Sequence, residues 1–187
     1  MPHKFEPTNI ELLINNDRIK ELNPVQFLRE NGLQEGMCFA DIGCGPGFFS
    51  IPAAHIIGDK GMVYAIDIQE EMVNKLKQRR PPENLKIIIS QENTIPLENT
   101  AVDFALLAFV LHETEDRIAF LKEAKRCLRP QSILLVVEWE KKIEDKGPPF
   151  EERIERDEAE KLIEAAGFKI QETASLNPSH YKIKARK

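Results

Sequence analysis

Phe39-Ala40-Asp41-Ile42-Gly43-Cys44-Gly45-Pro46-Gly47-Phe48-Phe49-Ser50 is the segment from which the chain is most readily read. The apolar run Met37 to Ile42 reads as a buried strand, and glycines follow it at every second position. Phe48 to Ile57 is apolar enough to be a helix packed on a sheet. A strand, a glycine turn and a helix together form a nucleotide cradle. Glycine admits close backbone approach, and a helix N-terminus presents free amide N–H groups. The spacing is G-x-G-x-G, whereas the dinucleotide fingerprint is G-x-G-x-x-G. Asp41 would be badly placed beside a pyrophosphate and suits a ligand with a positive ammonium.

Outward from this segment, the turn Gly58-Asp59-Lys60-Gly61 leads to a second apolar strand, Met62 to Ile66, ending in Asp67. A carboxylate there can accept from both ribose hydroxyls at once, and about 20 residues is the interval a strand–helix–strand unit gives. The pattern predicts strands over 37–42, 62–67, 85–90, 102–110 and 132–139, with helices over 47–57, 69–80 and 115–128 between them. Asn23-Pro24 starts an earlier helix with proline at its first position, and Asn31-Gly32 ends it. Such alternation means an α/β fold, doubly wound, with a parallel sheet covered on both faces. The tail changes rhythm. A helix over 159–166 is capped by Gly167, and strands over 168–174 and 181–185 are joined by Asn177-Pro178-Ser179, which implies an antiparallel hairpin at one sheet edge.

Asp41-Ile42-Gly43-Cys44-Gly45-Pro46-Gly47 resembles the first motif of class I S-adenosylmethionine-dependent methyltransferases. Ile95-Pro96-Leu97 followed by Asp103-Phe104 resembles a block of their ubiquinone/menaquinone-biosynthesis-type (methyltransferase domain 11-like) subgroup. The resemblance covers most of the chain from about residue 24 onward. It implies a Rossmann-like, seven-stranded, mostly parallel sheet with a C-terminal antiparallel hairpin. It also implies S-adenosylmethionine as cofactor, S-adenosylhomocysteine as product, and a single domain over 1–187. Asp41, Gly43, Cys44, Gly45, Gly47 and Phe48 would then hold the methionine end, and Asp67 and Ile68 the ribose. Gln91, Glu92 and Asn93 would take the adenine side, with Gln91 standing where the family often has Asp. Asp103 is expected to orient the fourth strand rather than touch cofactor.

The 187 residues suit one domain with a real core, and 42% hydrophobic and 30% charged residues are ordinary for a globular protein. A formal net charge of -5 argues against life on nucleic acid. The dense basic run Lys75 to Arg80 reads as a helix C-terminus, where cations favour the dipole. No stretch approaches a membrane span and no signal-peptide core is evident, so a cytoplasmic monomer or homodimer is expected. Cys38, Cys44 and Cys127 read as small core or loop residues, and no metal is expected. Residues 1–23 read as an arm or short helix, and the charged segment 140–156 as a solvated loop or a lid on the substrate side.

Ligands of open parallel sheets bind outside the carboxyl ends of the strands, which brings Phe109 to Thr114 and Glu138 to Lys142 to the cleft. Methyl transfer is an in-line displacement in which positioning and water exclusion matter most. A base is needed only if the nucleophile must lose a proton. His112, Glu113 and Glu138 are the candidate catalytic residues, with closure of the pocket the alternative role for His112 and Glu113. Phe109 adjoins the methyl group, and Trp139, Lys141, Arg153 and Tyr181 are candidates for the substrate side. Trp139 can stack on a planar substrate or pack under Pro148-Pro149. Nucleobase amino methylation is disfavoured because Ala108-Phe109-Val110-Leu111 replaces the Asn/Asp-Pro-Pro-Tyr/Phe block. The expected function is methyl transfer to a small molecule. The alternative is a non-catalytic binder of the cofactor or its product that acts through a protein partner.

Overall fold

The computed structural model describes residues 7–187. A 3-10 stretch, Pro7–Leu13, leads into helices α1 (Asn16–Leu22) and α2 (Pro24–Glu30). The expected arm is thus helical over its described part, and residues 1–6 of that expectation lie outside the described residues. Then come β1 (Cys38–Ile42), α3 (Ser50–Ile57), β2 (Met62–Asp67), α4 (Glu70–Gln78), β3 (Leu85–Ile89), β4 (Val102–Ala108), α5 (Arg117–Cys127) and β5 (Leu128–Trp139). The chain closes with α6 (Arg156–Ala165), β6 (Lys169–Asn177) and β7 (His180–Arg186).

The strands form one seven-stranded sheet in the order β3-β2-β1-β4-β5-β7-β6. Pairings from β3 to β5 are parallel, and β7 runs antiparallel to both its neighbours. Alternate residues of β4 explain why its run is continuously apolar: Phe104 and Leu106 enter one core, Ala105 and Leu107 the other. Leu28 of α2, Ile57 of α3 and Leu76 of α4 fill the first, while Leu121 of α5 and Ile163 of α6 fill the second. The order of connections reverses between β1 and β4, so the sheet opens a crevice at their carboxyl ends.

Several boundaries move from their expected places. Helix α3 begins at Ser50 rather than at 47, because Gly43 to Phe49 are used by the turn. Strand β5 begins at Leu128 rather than 132. Leu128 already pairs with Val102, and the register then shifts before Phe104 meets Ile133. Pro130 is tolerated in that irregularity, where Gln131 takes a positive φ of 64°. Helix α6 starts three residues earlier than expected. Asp103 binds β4 to β1, accepting from Cys38 N at 2.9 Å and from Arg129 Nη1 at 2.6 Å. Cys44 and Cys127 are buried and Cys38 is half-buried, all as free thiols. Among the described residues, no helix is long and apolar enough to cross a membrane.

Gly61 leaves no room for a side chain. A Cβ there would lie 2.3 Å from Met37 O and 3.0 Å from Gly36 C, at the entry to β1. Gly61→Ala is expected to destabilise the fold by about 1–3 kcal/mol. The check is a lower denaturation midpoint at an unchanged m-value.

Candidate functional site

The glycine turn is held from below by β2. Gly43 N and Cys44 N both donate to Ile66 O, at 2.8 and 3.0 Å. Asp67 closes the clasp: its Oδ2 accepts from Gly45 N at 2.7 Å and its Oδ1 from Gln69 N at 2.9 Å. Gly47 N donates to Cys44 O within the turn. The amides of Gly43, Cys44, Gly45 and Gly47 are therefore used by the protein itself, which has a chemical consequence. A turn with these four N–H groups taken and the Asp41 and Asp67 carboxylates beside it suits a cation better than a phosphate.

Steric demands differ along the turn. A Cβ on Gly43 would meet Val110 Cγ2 at 2.6 Å, and one on Gly47 would meet Leu76 Cδ1 at 2.4 Å. These two glycines let β4 and α4 close in. Gly45 has a positive φ of 53°, and its nearest neighbour within 4 Å of a Cβ would be Leu13 Cδ1 at 3.8 Å. Space above Gly45 is thus left for a ligand, under an arm that reaches over the turn. The arm is also tied to α4 by a Glu11–Lys75 ion pair.

Asp41 lies beneath the turn, 1% exposed, and accepts from Ser50 Oγ at 2.5 Å. Burial pushes its carboxyl up to about 7, against the lowering effect of Ser50 and with a further push from Asp67. Asp67 is raised too, by burial, with the N–H groups of Gln69, Gly45 and Ile68 opposing. Burial likewise raises the Cys44 thiol. Two buried carboxyls beside one turn leave a negative potential that a ligand cation would relieve.

On the adenine side, Gln91 and Glu92 are exposed after β3, and Gln91 pairs with Thr94 across a tight turn. Asn93 adopts a φ of 57°, and its Oδ1 is buried with no hydrogen-bond partner among the described residues. An unpaired amide oxygen at that place fits an adenine amine, so Asn93 is better suited to that contact than Gln91. Ile68 is exposed beside Asp67, as an apolar wall of a nucleoside site requires. Phe109 leaves β4 with a φ of 60°, an uncommon conformation for a bulky residue and one that clusters at functional sites.

Beyond Phe109, a 3-10 turn (Leu111–Glu113) places His112 against Glu138 at the end of β5. His112 Nδ1 lies 2.8 Å from Glu138 Oε2, and Glu138 Oε1 accepts from the backbone N of His112 at 3.1 Å. Both side chains are buried, Glu138 completely. Burial lowers the His112 pKa, but the charge and hydrogen bond of Glu138, with Glu113 and Glu152, outweigh it and raise the group above its ordinary value. Glu113 Oε1 stands 4.0 Å from Nε2, the other ring nitrogen. The three candidate catalytic residues thus meet around one imidazole.

The substrate-side candidates divide. Trp139 forms an aromatic cluster with Phe109 (5.7 Å between centroids) and His180 (4.3 Å). The 140–156 loop folds onto it, since a Cβ on Gly147 would lie 2.8 Å from the indole. Arg153 stacks on the same ring at 5.2 Å. Arg153 does not reach the cleft with free donors: they are taken by Pro148 O, Glu140 O, Lys146 O and the Glu144 carboxylate. It is the buried anchor of the loop. Tyr181 is also structural, fully buried with its hydroxyl donating to Ile154 O at 2.9 Å. Lys141 is half-buried, 5.7 Å from the Phe150 ring. Arg18 and His180, which also lie against Phe109, were not among the sequence candidates. Both come from elements outside the motif-bearing strand ends, and no short-range pattern marks them.

Comparison with known proteins agrees with this arrangement. A family model described as "Methyltransferase domain" matches residues 40–136, over half of the chain. A crystal structure of an S-adenosylmethionine-dependent methyltransferase from Aquifex aeolicus has a TM-score of 0.93 and 36% identity, with 98% of this chain and 99% of that one covered. The demethylmenaquinone methyltransferase of Staphylococcus aureus (strain MRSA252) is 29% identical over 114 residues, 60% of this chain and 47% of the relative. The chain therefore spans about half the length of the curated relatives it matches. The [4+2]-cyclase SpnF shares the fold at TM-score 0.75 and 17% identity, over 91% of this chain and 82% of its own.

Asp41 gives a pH signature in the ligand-free protein. Its folded pKa of about 7 lies above its ordinary 3.8, so between those values the native state holds a proton that the unfolded chain has lost. Stability from this group is present at low pH and is lost as pH rises through about 7. Asp41→Asn, which keeps an acceptor for Ser50, is expected to melt at least about 3 °C above wild type at pH 8. The two proteins should converge towards pH 4 in thermal unfolding scans; a pH-independent difference would count against this assignment.

Proposed function

The chain belongs to the methyltransferase domain family, and on that footing we propose that it transfers the methyl group of S-adenosylmethionine to a small-molecule acceptor. The observation that carries this reading is the buried His112–Glu138 pair, two residues beyond the Val110 that packs on Gly43 of the glycine turn. A passive binder has no need of a buried, carboxylate-oriented imidazole beside its cofactor turn.

The cofactor supplies an electrophilic methyl group on a sulfonium, and that sulfur leaves as a neutral thioether. Asp41 and Asp67 would provide the negative field for its positive end, Asp67 would hold the ribose with the lone pairs its backbone donors leave unused, and Asn93 Oδ1 would accept from the adenine amine. Glu138 holds the Nδ1 proton of His112 and so directs Nε2 outward, the logic of a base oriented by a third group. As the acceptor's nucleophilic atom bonds to the methyl carbon, His112 Nε2 takes the proton that atom loses. Phe109 and Trp139 shield the reacting atoms from water.

Calorimetric titration with S-adenosylmethionine and S-adenosylhomocysteine tests the cofactor site. Asp67→Asn is expected to weaken both by about tenfold or more, the scale of one charged hydrogen bond. Absence of binding to wild type would overturn the reading. The acceptor is then sought by S-adenosylhomocysteine release over a panel of quinols and aromatic acids. The curated relatives' name, demethylmenaquinone methyltransferase, is the reason to include the former.

The base assignment makes a separate prediction. His112 must be neutral to accept a proton, and its pKa is raised, so activity should climb with pH along a limb above the ordinary histidine value of about 6.5. Glu138→Gln removes the group that raises it and should shift the limb to lower pH. His112→Gln should lower kcat by about 10²–10⁴-fold while leaving S-adenosylhomocysteine affinity within a few-fold. An unshifted limb would assign the pair a structural role.

A further inference from the structure

Two nitrogen donors near the cleft, Arg18 Nε and His180 Nε2, lack hydrogen-bond partners among the described residues. Arg18 of α1 projects its guanidinium over the rings of both Phe48 and Phe109, 5.0 Å from each centroid. It makes no side-chain hydrogen bond to the described residues, and its Nε is sealed from solvent with no partner. Burial lowers its pKa to about 10, with Glu21 opposing. The guanidinium is half-buried, with one donor sealed off and unpaired, and an anion at this place would complete it.

The second donor is His180, at the start of β7 and 4% exposed. Its protonation can be read from its neighbours. Ser179 N donates to Asn177 Oδ1 at 2.9 Å, which fixes the orientation of that amide. Asn177 Nδ2 therefore donates to His180 Nδ1 at 2.9 Å and to Glu21 Oε1 at 3.2 Å. With Nδ1 accepting, a neutral imidazole carries its proton on Nε2. Burial, with Arg18 adding to it, lowers the pKa to about 4, so the ring is neutral at pH 7. Nε2 is buried and unpartnered. The His180 ring lies 4.9 Å from that of Phe109, on which Arg18 also stacks.

We propose that Arg18 and His180 form an oxyanion subsite for the methyl acceptor, and that the acceptor is an aromatic carboxylate. This rests on the methyl-transfer reading above. Arg18 supplies the charge and His180 a neutral donor, a pairing that selects an anion without repelling the nearby Arg153. The aromatic rings of Phe109 and Trp139 suit a planar acceptor. Both donors lie outside residues 40–136, the segment matched by the family model. One other carboxylate competes for the role, the α-carboxylate of the cofactor itself, because Phe48 ends the glycine turn.

Trp139 is the only tryptophan of the chain and lies 4.3 Å from His180, so its fluorescence reports the subsite. Protein saturated with S-adenosylhomocysteine is titrated with 4-hydroxybenzoate and with its neutral counterpart, 4-hydroxybenzyl alcohol. Saturable quenching by the acid, at least about tenfold tighter than by the alcohol, is expected, the margin of a charged hydrogen bond. Arg18→Met should remove that preference, and His180→Phe, which keeps the ring stack, should weaken the acid several-fold. Equal binding of acid and alcohol, or no binding of the acid, overturns the proposal. So does a loss in Arg18→Met of S-adenosylhomocysteine affinity with 5′-methylthioadenosine affinity kept, which would give the guanidinium to the cofactor's carboxylate. S-adenosylhomocysteine binding to wild type is read first, so failure of the cofactor reading is distinguished from failure of this one.

Discussion

The Asp67 carboxylate joins two strand ends: one oxygen receives the N–H of Gly45, the other the N–H of Gln69. That clasp gives the glycine turn its shape at the point where β1 leaves the sheet. It works because β1 and β2 are adjacent and parallel, with Ile42 opposite Ile66, so Asp67 emerges level with the turn. Gly43 and Gly47 then let Val110 and Leu76 pack against it, which draws in β4 and α4. The 3-10 turn bearing His112 follows Val110 directly, so the position of the imidazole is inherited from the packing at Gly43.

Charge is distributed over this end of the sheet at a cost to the ligand-free protein. Asp41, Asp67 and Glu138 are all buried, and only Glu138 meets a group that can become cationic, His112, within hydrogen-bond distance. Burial raises Asp41, and Asp67 adds to that rise rather than relieving it. Arg18 presents the opposite imbalance a few residues away in space, over Phe48. Buried groups of one sign, left with incomplete partners, are destabilising unless something of the other sign arrives. Among the described residues, no cation is hydrogen-bonded to the carboxylates of the glycine-turn side, and Glu21 acts on Arg18 without a hydrogen bond to it. A zwitterionic or two-component ligand set resolves both, and a neutral ligand resolves neither.

Much of this was legible in the sequence, for physical reasons that differ by element. Strands buried on both faces read as apolar runs, so β1, β2 and β4 were evident, and the C-terminal hairpin followed from its turn residues. The G-x-G-x-G spacing and Asp67 were visible because their chemistry is local to the chain. Boundaries shifted where backbone hydrogen bonds overrode local preference, as at Ser50 and Leu128. The destination of the turn's amides was not legible, because it depends on Ile66 and Asp67 lying alongside. Arg153 and Tyr181 looked like substrate contacts from their place in the chain, yet the 140–156 loop needs a buried cation to gather its carbonyls, and α6 needs a hydroxyl beneath it at Ile154. Arg18 and His180 carry no signal at all: their meeting at Phe109 is made by the fold, across 162 residues of sequence.

The division of labour follows from where these residues fall. The family segment, residues 40–136, contains the glycine turn, Asp67, Asn93 and His112, the parts proposed above to serve the cofactor and the proton transfer. Glu138, Trp139 and His180 lie after it and Arg18 before it. Yet these four are not peripheral, since Phe109 sits among Arg18, Trp139 and His180, and Glu138 holds His112. A fold that hosts both methyltransferases and a [4+2]-cyclase cannot derive its chemistry from the shared segment alone. In this chain the flanking elements, α1 on one side and the β6–β7 hairpin on the other, close on a backbone position that the sheet itself has strained. On the proposed reading, acceptor choice falls to residues that can change without disturbing the clasp at Asp67.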